Sequence, residues 1–137
     1  MEIRNYINGN FINSLSEQNI RVINPSNQST VGFIDEALED EIELAFTAAS
    51  LAFKKRILQD MDASRKSNMM RSIASKLREY RKTGSLILSQ ENGKTIEQCE
   101  GEFDGAANVF DYYAGLTDKI ENKMIPSGKD TFNYILL

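Results

Sequence analysis

Histidine is missing from the 137 residues, and there is a single cysteine, Cys99. Without histidine, Ser-His-Asp and Cys-His nucleophile pairs cannot be built, nor can a histidine-bearing zinc site. A lone cysteine rules out an all-cysteine zinc site and any disulfide within the chain, so the cytoplasm is the expected compartment. No apolar run approaches the roughly 20 residues of a membrane span. Met1-Glu2-Ile3-Arg4-Asn5 has no basic region followed by an apolar one, so neither a membrane anchor nor a signal peptide is expected. Positive charge is also in deficit: 16 Lys and Arg face 20 Asp and Glu, for a net charge of -4. That balance repels phosphate backbones and argues against a nucleic-acid partner. None of the 8 glycines forms Gly-x-Gly-x-x-Gly after a strand, so no dinucleotide phosphate cradle is expected.

What remains is about one domain of ordinary soluble composition, with 41% hydrophobic and 26% charged residues. The first third predicts short strands. Asn5-Tyr6-Ile7, Asn8-Gly9 and Asn10-Phe11-Ile12 form a hairpin signal, because Asn and Gly tolerate the positive φ that a type I′ turn needs. Gln18 to Ile23 alternates polar and apolar and stops at Asn24-Pro25, where proline ends ladder pairing. Asn27 to Ser29 makes a turn, and Val31 to Ile34 another strand. Four helices are then predicted. Leu38, Ile42, Ala45, Phe46, Ala49, Ala52 and Phe53 recur at helical spacing, behind Glu39, Asp40 and Glu41 in a first turn that favours anions. Asp62 is the expected N-cap of a second helix, with Met69, Met70, Ile73, Ala74, Leu77 and Tyr80 on one face. A short third helix around Leu86-Ile87-Leu88 ends at Asn92-Gly93. The fourth runs from about Thr95 to Leu116, with a stripe of Ile96, Cys99, Phe103, Ala106, Ala107, Phe110 and Tyr113. Phe132 to Leu137 predicts a strand with no partner nearby, so the chain reads as cut off within an apolar strand.

No constellation of these residues amounts to a catalytic centre. Arg65, Lys66, Arg71, Lys76, Arg78, Arg81 and Lys82 are expected to be the solvated face of an amphipathic helix. Cys99 sits in an apolar stripe beside Glu97, Glu100 and Glu102, a setting that favours an inert, packed thiol. Glu91, Glu97, Glu100, Glu102 and Asp104 are spaced as helix surfaces commonly are, with nothing to fix two of them across a cleft. Tyr112-Tyr113 is expected to pack rather than to stack a ligand.

Six pieces in order resemble the start of the aldehyde dehydrogenase family. Tyr6-Ile7-Asn8-Gly9-Asn10-Phe11 is similar to its opening hairpin, and Val22-Ile23-Asn24-Pro25-Ser26 to its Asn-Pro turn. Ala45, Ala48, Ala49 and Ala52-Phe53-Lys54 resemble its alanine-rich first helix, and Arg65 with Met69, Ile73, Ala74 and Leu77 its second. Glu91-Asn92-Gly93-Lys94-Thr95 resembles the Glu-x-Gly-Lys turn, and Tyr112-Tyr113-Ala114-Gly115 a tyrosine pair on the fourth helix. Two features depart from the family pattern. The tryptophan often found after Ala-Phe-Lys is absent, and Thr95 stands where a proline commonly follows Gly-Lys.

The resemblance implies an α/β fold, the amino-terminal part of an aldehyde dehydrogenase-like fold: short β-hairpins, four amphipathic helices and a terminal strand. Residues 1–130 would be an incomplete part of the cofactor-binding domain, and 131–137 the start of the oligomerisation arm. The implied activity is that of an NAD(P)-dependent oxidoreductase. A thiolate attacks an aldehyde, hydride passes to NAD or NADP, and the thioester is hydrolysed to a carboxylic acid. In the family the nucleophilic cysteine, general-base glutamate, oxyanion asparagine and cofactor lysine lie beyond the end of this segment. No catalytic or cofactor-binding residue is therefore assigned here. Cys99 is not the nucleophile, and Glu91 to Lys94 is a structural turn rather than the Glu-Leu-Gly-Gly-Lys base motif. The chain alone is expected to be inactive and to bind neither NAD nor NADP. The implied partners are the remainder of the same polypeptide, neighbouring subunits of a homo-oligomer and an aldehyde. Many members also hold a monovalent cation through a carbonyl near the Asn-Pro turn and an aspartate after the tyrosine pair. These map to Ile23 and Asp118, and oxygen ligands suit such an ion. Two readings stay open: a segment of an aldehyde-oxidising enzyme, or a binding or scaffold module that keeps the fold without the chemistry.

Overall fold

The computed structural model describes residues 2–16, 18–121 and 123–135. Strands β2 (Asn5–Ile7) and β3 (Asn10–Ile12) pair antiparallel, Tyr6 opposite Phe11. Asn8 and Gly9 turn between them at φ 50° and 84°, the two positive angles expected of a type I′ turn. Strands β4 (Asn19–Ile23) and β5 (Thr30–Asp35) form a second hairpin, with a bulge at Val22/Ile23. Its connection is closed by Asn24 N–H on the Ser29 carbonyl and Gln28 N–H on the Asn24 carbonyl, both 2.8 Å. Strand β1 (Glu2–Ile3) joins β5 in parallel, giving the order β1-β5-β4. Two residues are too few to show alternation, so β1 leaves no trace in the sequence pattern.

Among the described residues three helices follow, where four were expected. Helix α1 is Glu39–Lys54 and α3 is Ile96–Ala114. The second and third expected helices are a single α2, Ala63–Asn92, of 30 residues and about 45 Å at 1.5 Å per residue. Gly84 lies inside this helix, at a point of close contact. A Cβ there would stand 2.2 Å from Phe103 Cζ, so glycine lets α3 approach rather than ending the helix.

The ends of α2 and α3 follow from their capping residues. Gly93 takes φ 77° and its N–H returns to the Ser89 carbonyl at 2.9 Å, the left-handed stop anticipated there. Asp62 stands at the N-cap as expected, yet its side chain makes no cap hydrogen bond. Thr95, the residue in place of the family's proline, caps α3 instead. Its Oγ1 accepts from Gln98 N–H at 3.3 Å, and Gln98 Oε1 accepts from Thr95 N–H at 3.2 Å, a reciprocal capping box.

Helices α2 and α3 run antiparallel through a seam of small residues. Ala74, Ser85, Cys99 and Ala107 are fully buried there. Arg78 pairs with Asp111 at 2.8 Å, and Arg81 reaches both Glu100 and Asp104 at 3.0 Å. The basic face of α2 is therefore partly spent on α3 rather than wholly solvated. Half of the anticipated α2 stripe faces outward, with Met69, Ile73 and Tyr80 exposed.

The terminal strand was expected to lack a partner, and it has one. Strand β6 (Lys123–Ile125) pairs antiparallel with β7 (Asn133–Ile135), Met124 opposite Tyr134. Three residues of β6 are too short to announce a strand. Leu136 and Leu137, included in the expected strand, lie outside the described residues. Every described residue of this hairpin is exposed. Among the described residues, no helix is long and apolar enough to cross a membrane.

The open arrangement shows in the surface area. The chain exposes 10923 Å², whereas a close-packed protein of its mass would expose about 7,200 Å². Phe46, Phe53 and Phe132 are among the large side chains left in solvent.

Candidate functional site

Cys99 is held by α3 on the face that meets α2 and has no exposed surface. Phe103 lies one turn on, closed over Gly84, while Glu100 pairs with Arg81 and Glu102 with Lys94. Among the described residues no opening exposes the thiol, and two of its neighbouring acids, Glu100 and Glu102, are engaged in ion pairs. The Glu91 to Lys94 turn lies between α2 and α3 with Gly93 in the left-handed region, as a helix-to-helix connector. The hydrogen bond from Lys94 Nζ to Glu102 holds that ammonium above its ordinary pKa. Lys94 is thereby a charged strut. Tyr112 and Tyr113 meet edge to face at 5.3 Å, both exposed.

The expected cation pair, Ile23 and Asp118, does not converge. Ile23 ends β4 beside Asn24-Pro25. That turn sits over the carboxyl end of α2, where a Cβ on Gly93 would come 2.8 Å from Pro25 Cγ. Asp118 lines a cleft with Ala63, Ser64 and Ser67 at the amino end of the same helix. With about 45 Å of helix between those ends, a carbonyl at Ile23 and the Asp118 carboxylate cannot share one ion. Asp118 already accepts from Lys119 Nζ at 2.7 Å, which lowers its pKa from the ordinary carboxylate value. Among the described residues, no three His, Cys, Asp or Glu side chains gather as a metal cluster.

The strand-to-helix junction from β5 to α1, where a dinucleotide's diphosphate would meet helix amides, carries Glu39, Asp40 and Glu41 in its first turn. Three carboxylates there oppose a diphosphate.

One polar centre went unanticipated. Glu41, expected only to complement the helix dipole, is 5% exposed. It accepts from Ser14 Oγ at 2.6 Å, Leu38 N–H at 2.8 Å and Leu15 N–H at 3.2 Å. A glutamate three residues into a helix is a local signal for the Leu38 bond. The partners at Ser14 and Leu15 are distant in sequence and leave none.

Comparison with known proteins places this arrangement. A model described as "Aldehyde dehydrogenase family" matches residues 11–137. An aldehyde dehydrogenase of Davidiella tassiana is 30% identical over 130 residues, 95% of this chain and 26% of that protein. A betaine aldehyde dehydrogenase of Bacillus subtilis (strain 168) is 32% identical over 89% of this chain and 25% of its own length. The crystal structure of betaine aldehyde dehydrogenase from Staphylococcus aureus in complex with NAD+ superposes with a TM-score of 0.83 at 32% identity, covering 93% of this chain and 25% of that one. An aldehyde dehydrogenase from Bacillus cereus, a G224D mutant, gives a TM-score of 0.85 at 27% identity over 98% and 28% of the two chains. The chain thus spans about a quarter of the length of the curated relatives it matches.

Proposed function

The chain belongs to the aldehyde dehydrogenase family, and we propose that it is the amino-terminal segment of an NAD(P)-dependent enzyme that oxidises an aldehyde to a carboxylic acid through a cysteine thioester. The observation that carries this reading is the superposition at a TM-score of 0.83 on a chain crystallised with NAD+, together with the family match over residues 11–137. The segment's part is architectural. Its thiol is shut in the α2–α3 seam, and its strand-to-helix junction is acidic. Both features support the reading that nucleophile, oxyanion donor and cofactor site lie on polypeptide outside it.

Partner chemistry follows from the surface. The area beyond that of a close-packed protein is about 3,700 Å², within the range of permanent, obligate interfaces. We assign its cover to the remaining polypeptide of the enzyme and to neighbouring subunits. The arm toward a neighbour is proposed to begin at Lys123 rather than at residue 131, because β6 and β7 fold as one hairpin. The test is calorimetric titration of the chain with NAD, plus an assay of NADH formation across aldehydes that include betaine aldehyde and aminoaldehydes. No heat of binding and no turnover are expected. Binding in the micromolar range, or turnover abolished by Cys99→Ser, would overturn the assignment.

A further inference from the structure

We propose that Glu41 is an anionic latch: its carboxylate, rather than apolar burial, fixes α1 on the strand layer, and neutralising it frees α1 while the α2–α3 pair stays intact. Glu41 is the buried residue of α1. Its apolar neighbours along the helix, Ile42, Leu44 and Phe46, are all exposed. Among the strands, the β2–β3 hairpin lies close to α1, where Ile7 and Ile12 share an open groove with Leu44, Ala48 and Leu51. A helix normally docks by its apolar stripe. Here the covered group is a carboxylate.

The donors to it come from two distant stretches. Leu38 N–H belongs to the start of α1, while Ser14 Oγ and Leu15 N–H belong to the loop after β3. Ser14 extends the joint to the end of β5, where its hydroxyl lies 2.7 Å from the Glu36 carbonyl and its N–H 3.4 Å from Asp35 Oδ2. One side chain therefore ties the first hairpin, β5 and α1 together. The ionised form is favoured because the Leu38 N–H and the Leu15 N–H, one on each carboxylate oxygen, can only donate.

The charged groups around the latch are Asp35 at the end of β5 and Glu36 just after it, Glu39, Asp40 and Glu43 from α1, and Glu2 of β1 and Arg4 in the cleft beside Ser14. Tyr6 is the titratable group on β2. The Ser14 hydroxyl first, then the Leu38 N–H, hold the Glu41 pKa below the ordinary glutamate value against the effect of burial. A pKa lowered on folding means the latch is fully present above the unfolded value. It is lost as pH falls through the folded one. It is closed at neutral pH and opens in acid, or when Glu41 loses its charge.

The test is a carbon-detected NMR pH titration of the full chain, with amide exchange measured alongside. The Glu41 carboxyl and the Leu15 and Leu38 amides should titrate with one midpoint, below that of a free glutamate. Through that midpoint α1 amides from Ala45 to Ala52 should exchange at least about tenfold faster, while those from Ala74 to Ser85 hold. Glu41→Gln should reproduce the change at neutral pH, and Glu39→Gln should not. If Glu41→Gln fails to fold, the titration of the unaltered chain still decides. Unchanged α1 exchange across the Glu41 titration overturns the latch, and so does simultaneous loss of protection in α1 and in α2–α3.

Discussion

Helices α1 and α3 are of similar length and both begin with a side chain returning to the N-cap, yet they are held by opposite means. Helix α3 closes on α2 through Cys99 and Ala107, both fully buried, and through Phe103 lying over Gly84. Helix α1 buries a glutamate and leaves Ile42, Leu44, Phe46, Leu51 and Phe53 exposed. Contact between small residues saturates dispersion and excludes water, so the α2–α3 seam needs no further cover. The apolar face of α1 is unfinished without some. The β6–β7 hairpin stands with α1 in this respect, since an isolated two-stranded ribbon is marginal in water.

The sharpest contrast should be seen at Cys99. A charged thiol reagent should label it at least about a hundredfold more slowly than a free thiol until denaturant opens the seam, with labelling followed by mass spectrometry. Fast labelling of the folded chain would mean the seam is open. Next in size, Ala107→Asp places an uncompensated charge in the seam and should cost about 3–5 kcal/mol. Ala49→Asp, at an exposed position of α1, should stay within about 0.5 kcal/mol. Urea unfolding of the two variants side by side reads the difference. Gly84→Val forces side-chain atoms into the Phe103 ring and should cost about 1–3 kcal/mol, part of which Phe103→Leu should restore. Arg81→Met removes two ion pairs from a partly exposed side chain. It should cost at most about 1 kcal/mol, a loss that shrinks as salt is added.

Elements whose cause is local were legible in the sequence. Asn8-Gly9 announces its hairpin and Gly93 its helix end because the required φ depends on those residues alone. Where the cause lies across the fold, the pattern misled. The second and third expected helices are one, and Gly84 within it lets Phe103 of α3 come close. Strand β6 is invisible until β7 pairs with it. The burial of Cys99 agrees with its place in the α3 stripe. Ile23 and Asp118 were paired on resemblance alone, and the length of α2 separates them. Glu41 lay in plain view as a first-turn acid, but its bond to Ser14 spans 27 positions and no periodicity records such a contact.

Hydrogen exchange of the whole chain at neutral pH, resolved by segment, bears most directly on the contrast between a self-sufficient seam and elements that await cover. Segments spanning 74–85 and 99–107 should be the slowest to exchange. The segment 123–135 should exchange close to the unprotected rate, and 42–54 should fall between, held only through the Glu41 joint. Equal protection across all four segments would contradict this picture, because it would mean that α1 and the terminal hairpin are packed as well as the seam.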